Sequence, residues 1–326
     1  VIAVTFGSMP FGPLKLRLPF GRRLPGVIAS LLVVCVGCRA LADVVIVRSS
    51  DAAPYRQADA VFTRRLSGPG CKVRSVLVKE LADSGIGSAI STTDTVVAIG
   101  TPAAVWLHSQ LPEGVELVYC MVTSAEDAGL LKGSPCWGVS MEVSEGEQFK
   151  LIAEALPSAH SVGLLYHSDT AAGREMLQRF RDSLPGGWQV NAVAVNDFAS
   201  MAEAVDALIQ RNVDVIWTQA DFKLYDAAAV RELLTAALRA KIPVWGFSPA
   251  FVRAGALIGV GVDPESQANQ ASDLIAAIRQ NKASTEKSQH PTNYQIAVNL
   301  IVAEQLNIQI AADLVNRAKF VFQGEK

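Results

Sequence analysis

The chain is poor in charge. Only 18% of its 326 residues are Asp, Glu, Lys or Arg, and 29 basic residues stand against 31 acidic ones. A formal charge of −2 recruits no polyanion, and no basic patch with interleaved aromatics occurs, so a nucleic-acid partner is not expected. Histidine is scarce, with four scattered copies. Without CxxC, HExxH or a His-rich cluster, the sequence offers no metal site. It also lacks GxxxxGK[ST], and no GxGxxG follows the first strand. The glycines at 255, 259 and 261 lie along a strand pattern, not at a strand-to-helix turn, so no phosphate cradle or nucleotide cofactor is implied. No apolar run reaches the roughly 20 residues that span a bilayer. What is abundant is apolar surface: half the residues are hydrophobic, enough for a sizeable core in one large domain or two ordinary ones.

The first 42 residues read differently from the rest. Lys15, Arg17, Arg22 and Arg23 form a positive stretch without acids, an apolar run follows at 27–36, and Ala40-Leu41-Ala42 sets small residues for cleavage. This is the three-part pattern of a secretory signal, with cleavage expected after Ala42 and Met9 a candidate start. Cys38, just past the apolar run in Val36-Gly37-Cys38, is an alternative lipidation point, although Cys35 replaces the usual Leu. Beyond 42 the chain holds Cys71, Cys120 and Cys136, an odd number for an oxidising compartment. Cys120 and Cys136 fall near the ends of two neighbouring strands and are candidates to pair.

From 44 onward, short apolar runs alternate with amphipathic stretches. Strands are expected at 44–47, 73–78, 95–99, 115–121 and 137–141, with helices at 53–66 and after Gly100-Thr101-Pro102, where Thr101 suits a cap and Pro102 a first turn. The rhythm restarts with a helix at 145–156 and strands at 161–166, 190–195, 213–218, 243–247 and 257–262. Helices run from Thr170 to about 183, at 200–211 and at 227–240. A helix at 264–280, a polar linker at 281–289, a short strand at 295–298, a helix at 300–306 and a closing segment complete the chain. Apolar strands separated by helices predict parallel sheets covered on both faces. Two such groups make an α/β protein of two doubly wound parallel-sheet lobes, with a boundary near 140–145.

In open parallel sheets ligands sit beyond the carboxyl ends of the strands. The groups there are Ser49, Ser50, Thr101, Ser168, Asp169, Thr170, Asp221 and Ser248, with Tyr55, Tyr119, Phe222 and Phe247 as nearby aromatics. Backbone N–H groups at Thr101 and Thr170 suit a carboxylate, and Asp221 suits an ammonium group. Each Ser, Thr or Asp is also readable as a plain helix cap, and each aromatic as core. His167 could serve as a general base, but no nucleophile elbow accompanies it.

Four stretches resemble those of the ABC transporter substrate-binding proteins associated with tryptophan, tyrosine or related solutes. They are Ala98-Ile99-Gly100-Thr101-Pro102-Ala103-Ala104; Leu156-Pro157-Ser158-Ala159-His160-Ser161-Val162-Gly163; Ile242-Pro243-Val244-Trp245-Gly246-Phe247 with Gly261-Val262-Asp263; and Asn299-Leu300 with Leu306-Asn307-Ile308. The resemblance implies a type I periplasmic-binding fold whose lobes close on a small molecule, no cofactor, no catalysis, and an ABC permease and ATPase as partners in the membrane. It implies lobe 1 at 43–140 plus 264–289, lobe 2 at 141–263 plus 290–326, and a periplasmic or other extracytoplasmic place. Thr101 and Ala103 would contact ligand from the first lobe, and Ser168, Thr170, Asp221 and Ser248 from the second. An amino-acid ligand would set its amine near Asp221. Departures occur at Phe222, where Asn is usual, at Pro135-Cys136-Trp137-Gly138 and at Tyr119-Cys120-Met121-Val122. A sensory module of the same fold is the alternative role, and an exported enzyme using His167 and Asp221 a third.

Overall fold

A computed structural model describes residues 43–133, 135–221, 224–282 and 285–324. The expected signal segment at 1–42, with Cys38, and the predicted contact Phe222 lie outside the described residues. In chain order the first elements are β1 (Val44–Arg48), α1 (Ala53–Leu66), β2 (Val73–Leu77), α2 (Val78–Ser84), β3 (Thr95–Ile99), α3 (Thr101–Gln110), β4 (Glu116–Val122) and β5 (Cys136–Ser140). The rhythm repeats as α4 (Glu145–Ala155), β6 (Ser161–Tyr166), α5 (Ala171–Asp182), β7 (Gln189–Ala194), α6 (Met201–Ile209), β8 (Val215–Trp217), α7 (Ala227–Arg239), β9 (Val244–Gly246), α8 (Pro249–Ala254) and β10 (Ile258–Gly261). Then come α9 (Pro264–Arg279), β11 (Ser288–Gln289), β12 (Gln295–Asn299), α10 (Leu300–Leu306), α11 (Ala312–Arg317) and β13 (Phe320–Phe322).

These strands build two sheets, one of six strands ordered β11-β5-β4-β3-β1-β2 and one of seven ordered β13-β12-β10-β9-β8-β6-β7. Burial explains the strand composition. β3 is central, its Thr-Val-Val-Ala-Ile run buried throughout, whereas β2 and β7 are edges that alternate or expose their residues. Each sheet is covered on both faces. Val44, Ile46, Val97 and Ile99 pack with Ala58, Phe62, Ala271 and Ile275 of α1 and α9, and Val45, Val47 and Ala98 face Ala104 and Leu107 of α3. In the second sheet, Val162 and Leu164 meet Phe149, Ile152 and Phe180, while Leu165 and Ile216 meet Leu208, Leu233 and Val252.

The helices start where short polar side chains accept first-turn N–H groups. Ser144, Thr170, Ser200, Asp226, Ser248, Asp263 and Asn299 cap α4 to α10 in this way. The strands and helices expected from the sequence are present, and α11 and β13 build the closing segment, with further differences elsewhere. The supposed linker carries β11, which pairs parallel to β5; α2 and α8 are short helices too brief for a clear apolar period; and β12 runs antiparallel to β10 in an otherwise parallel sheet. Cys120 and Cys136 form no disulfide. Register sets Cys136 opposite Leu117 on the face toward α3, while Cys120, three residues further along β4, points to the face under α9. Burial raises both thiols, that of Cys136 to about 12.

Between the sheets the chain passes at 141–144, at 262–263 and at 290–294. Polar contacts join these passages. His290 Nδ1 lies 2.8 Å from the Glu142 carbonyl, and Gln295 donates to Asp263 Oδ1 at 3.1 Å. Gln267 on α9 is buried and holds the approach to the first passage, donating to the Ser140 carbonyl at 2.8 Å and accepting from the Met121 N–H at 3.1 Å. Met121 has φ of 56°, at the irregularity where the β4–β5 register shifts. The Gln267 bond fixes that unusual backbone.

Candidate functional site

Strand ends of both sheets and two of the passages converge on one cavity of about 290 Å³. Thr123 follows β4, and Met141, Glu142 and Val143 form the first passage; Thr218, Gln219 and Ala220 follow β8; Phe247 and Ser248 follow β9; and Val262 opens the second passage. This is the place the carboxyl-end rule assigns to ligands in doubly wound sheets. The wall surface is largely apolar, with Met141, Met176, Trp217, Phe247 and Val260 contributing, and Glu142, Glu145, Arg179 and several uncharged polar side chains stand among them.

Gln148 organises the floor. It stands on the buried face of α4, and its Oε1 accepts from Trp217 Nε1 at 2.8 Å and from Trp245 Nε1 at 2.7 Å. Its Nε2 donates to the Val143 carbonyl at 2.7 Å. One amide therefore orients the two indoles of β8 and β9 and ties them to the passage between the sheets. A buried amide satisfied this fully fixes geometry at little cost in desolvation. Trp217 also stacks at a tilt on Phe180, ring centroids 4.7 Å apart, so its ring is held on two sides.

Charge enters with Glu142. Its side chain is exposed where the first passage lines the cavity, with protein close by, and among the described residues its carboxylate accepts no hydrogen bond. Loss of hydration pushes its carboxyl up to about 7; Arg179 opposes this, and Glu145, Asp127 and Glu126 add to it. Arg179 on α5 reaches across to Glu126 in the segment after β4, Nη1 to Oε2 3.3 Å. Both partners are about half exposed, so this pair contributes at most about 1 kcal/mol.

Of the residues singled out in the sequence, the structure puts Ser248 on the cavity wall, where its Oγ also caps α8 by accepting from the Phe251 N–H at 3.2 Å. Asp221 lies just beyond Ala220 and is not among the lining residues; its Oδ1 accepts from the Leu224 N–H at 3.2 Å. Ser49 donates to the Ile99 carbonyl at 2.9 Å and accepts from the Ala103 N–H at 3.0 Å. It thereby caps α3 from another strand, because Gly100 at the N-cap has no side chain to do so. Gly100 has φ of 93°, and a Cβ there would stand 2.6 Å from Ser49 Oγ. Ala103 is fully buried on the inner face of α3, and Thr101 begins that helix away from the cavity lining. Ser50 sits before α1, its Oγ 3.4 Å from the Ala52 N–H. Ser168 is bonded to Asn196 through N–H and Oγ, and Thr170 caps α5 through the Gly173 N–H. Tyr119 is fully buried within the first sheet, and its hydroxyl, lying toward Ser288, makes no hydrogen bond of good geometry; burial pushes its pKa above the usual tyrosine value. The sequence reading missed Glu142, Arg179, Gln148 and Trp217. The signal for Trp217 was a large aromatic as the last residue of an apolar strand, and for Gln148 a polar residue on the apolar face of a helix.

Comparison with known proteins bears on this arrangement. The ABC transporter substrate binding protein family matches residues 89–322. No curated protein matches the sequence. Among solved structures, a substrate-binding protein with adhesive properties from Clostridium difficile, in ligand-free open form, is 17% identical, covers 87% of this chain and all of its own, and superposes with a TM-score of 0.66. An ABC domain from Streptococcus pneumonia in complex with L-Trp is 20% identical, with 86% of this chain and 99% of that one covered and a TM-score of 0.58. A conserved domain protein from Vibrio cholerae gives 22% identity, the same coverage and a TM-score of 0.57. At these identities the superpositions establish the type I periplasmic-binding fold.

Proposed function

Because this chain belongs to the ABC transporter substrate binding protein family, we propose that it captures a small solute outside the cytoplasmic membrane and delivers it to an ABC permease and ATPase. The observation that carries this reading is the cavity itself. It is walled mostly by apolar surface with charged and polar groups set in it, and bounded by strand ends of both sheets and by two of the passages joining them. A solute seated there touches both sheets at once, so its binding energy favours the arrangement in which they close. On this reading the lobes are 43–140 with 264–289 and 141–263 with 290–326, and 141–144, 262–263 and 290–294 act as the hinge.

The proposed ligand contacts are Trp217, Phe247, Ser248, Glu142 and Thr123, with Gln148 positioning Trp217. Asp221, Thr101 and Thr170 remain contacts only if closure carries them to the cavity. Aromatic amino acids are sensible first probes, since the wall presents Trp217 and Phe247 and one protein of similar fold holds L-Trp. No bond is made or broken in this account.

A thermal-shift screen against amino acids, amines, sugars and organic acids tests it. A ligand that binds only the folded state raises the midpoint in step with its concentration. A saturable rise with one solute class, removed by Phe247→Ala, supports capture in this cavity. A flat response across the panel rejects it.

A further inference from the structure

The charge of the ligand is legible in how the acids and the one cation of the cavity are arranged. Two carboxylates line it, Glu142 in the first passage and Glu145 in the first turn of α4. Neither accepts a side-chain hydrogen bond among the described residues. Two further acids, Glu126 and Asp127, lie close enough to act on Glu142. The single cationic side chain on the lining, among the described residues, is Arg179, and it is directed at Glu126 at 3.3 Å. An anionic ligand therefore meets repulsion from Glu142 and Glu145, and must first draw Arg179 off its partner. A cationic ligand meets an unengaged carboxylate in a cavity that Trp217 and Phe247 also line, and aromatic rings attract cations. The aromatic and methionine wall then takes an apolar body.

We propose that the cavity selects solutes carrying a positively charged nitrogen on an apolar or aromatic body and no carboxylate, with Glu142 as the residue that recognises the charge. This rests on the capture reading above and narrows it. It departs from an amino-acid ligand, whose carboxylate would lack a free cationic partner on the described lining.

The charged groups facing Glu142 are Arg179 from α5, Glu145 from α4 and Asp127 and Glu126 from the segment after β4, while the His290 ring rests on its backbone carbonyl. Since its carboxyl is raised in the empty cavity, a bound cation displaces its proton. Affinity for the amine then rises with pH through the neutral range and levels off above it.

Isothermal titration with two charge-matched sets tests this: tryptamine, tryptophan and indole-3-acetate, and phenethylamine, phenylalanine and phenylacetate. The expected result is that one amine binds at least about tenfold more tightly than its zwitterion and its anion. Glu142→Gln should remove roughly that factor and abolish the pH dependence, with the unliganded thermal midpoint no lower than that of the parent. Equal or tighter binding of the zwitterion or anion overturns the inference, and so does unchanged amine affinity in Glu142→Gln. Binding of none of the six also overturns it. The capture reading is judged separately, by the broad thermal-shift panel, so an anionic or zwitterionic hit there rejects the charge assignment alone.

Discussion

Replacing Gln148 by Leu removes the acceptor shared by Trp217 and Trp245 and the donor to the Val143 carbonyl, leaving three polar groups without their partner. Each buried group left unsatisfied costs about 1–3 kcal/mol. Trp217 borders the cavity, so water can reach its N–H and recover part of its share, whereas Trp245 is fully buried. The expected loss is therefore roughly 3–5 kcal/mol of folding stability, with Leu preserving most of the apolar contact of the Gln stem. Urea unfolding followed by tryptophan fluorescence and by far-ultraviolet circular dichroism measures it through the shift in midpoint at constant slope. A loss below about 1 kcal/mol would refute the reasoning, since it would mean that the indoles re-pair readily. Gln148→Glu sharpens the test. Its carboxylate still accepts from both indoles, but it sets an anion against the Val143 carbonyl. An acid whose folded-state pKa is raised loses stability as pH climbs above its unfolded value, so this variant should be weak at neutral pH and recover as the solution is acidified.

Three other outcomes follow from the same geometry. Ser49→Ala should lower stability by about 1 kcal/mol, because it uncaps α3, and leave solute affinity unchanged; a selective loss of affinity in titration would restore Ser49 as a ligand contact. Gly138→Ala should impair folding by several times the effect of an ordinary surface change, as its Cβ would fall 2.3 Å from the Tyr119 ring and 2.4 Å from the Tyr119 carbonyl; a circular-dichroism melt matching the parent would contradict that packing. Glu142, with its carboxyl raised to about 7, should make the unliganded protein less stable as pH rises from about 4.5 to 7 and have no further effect above that, a slope that Glu142→Gln removes in chemical denaturation across pH.

The fold was largely readable because its signals are local. The apolar run Thr95-Val96-Val97-Ala98-Ile99 is β3 because a central parallel strand is buried on both faces, and Thr170 marks the start of α5 by its own capping chemistry. Capping residues were also the weak point of the site reading. Ser, Thr and Asp at strand ends were expected to face a ligand, and three of them, Ser49, Thr170 and Ser248, are bonded to the first turn of a helix. Ser49 shows why sequence could not separate the two roles: its partner Ala103 lies 54 residues away, across a glycine that cannot cap its own helix. Gln148 is the converse case. Its partners lie 69 and 97 residues along the chain, and only the register of β8 against β9 brings the two indoles to one amide. Glu142 was hidden in a passage whose place beside α5 depends on how the two sheets are connected. The pairing of β11 with β5 rests on two residues and left no periodic trace.

The central claim is that a solute enters this cavity and rests against Trp217. A titration followed by intrinsic tryptophan fluorescence tests it most directly, using the best solute from the thermal screen on the parent chain and on Trp217→Phe. The account predicts a saturable change in the parent, and in Trp217→Phe a loss of most of that signal with weakened binding. Full signal and unchanged affinity in Trp217→Phe would contradict it and put the ligand elsewhere on the molecule.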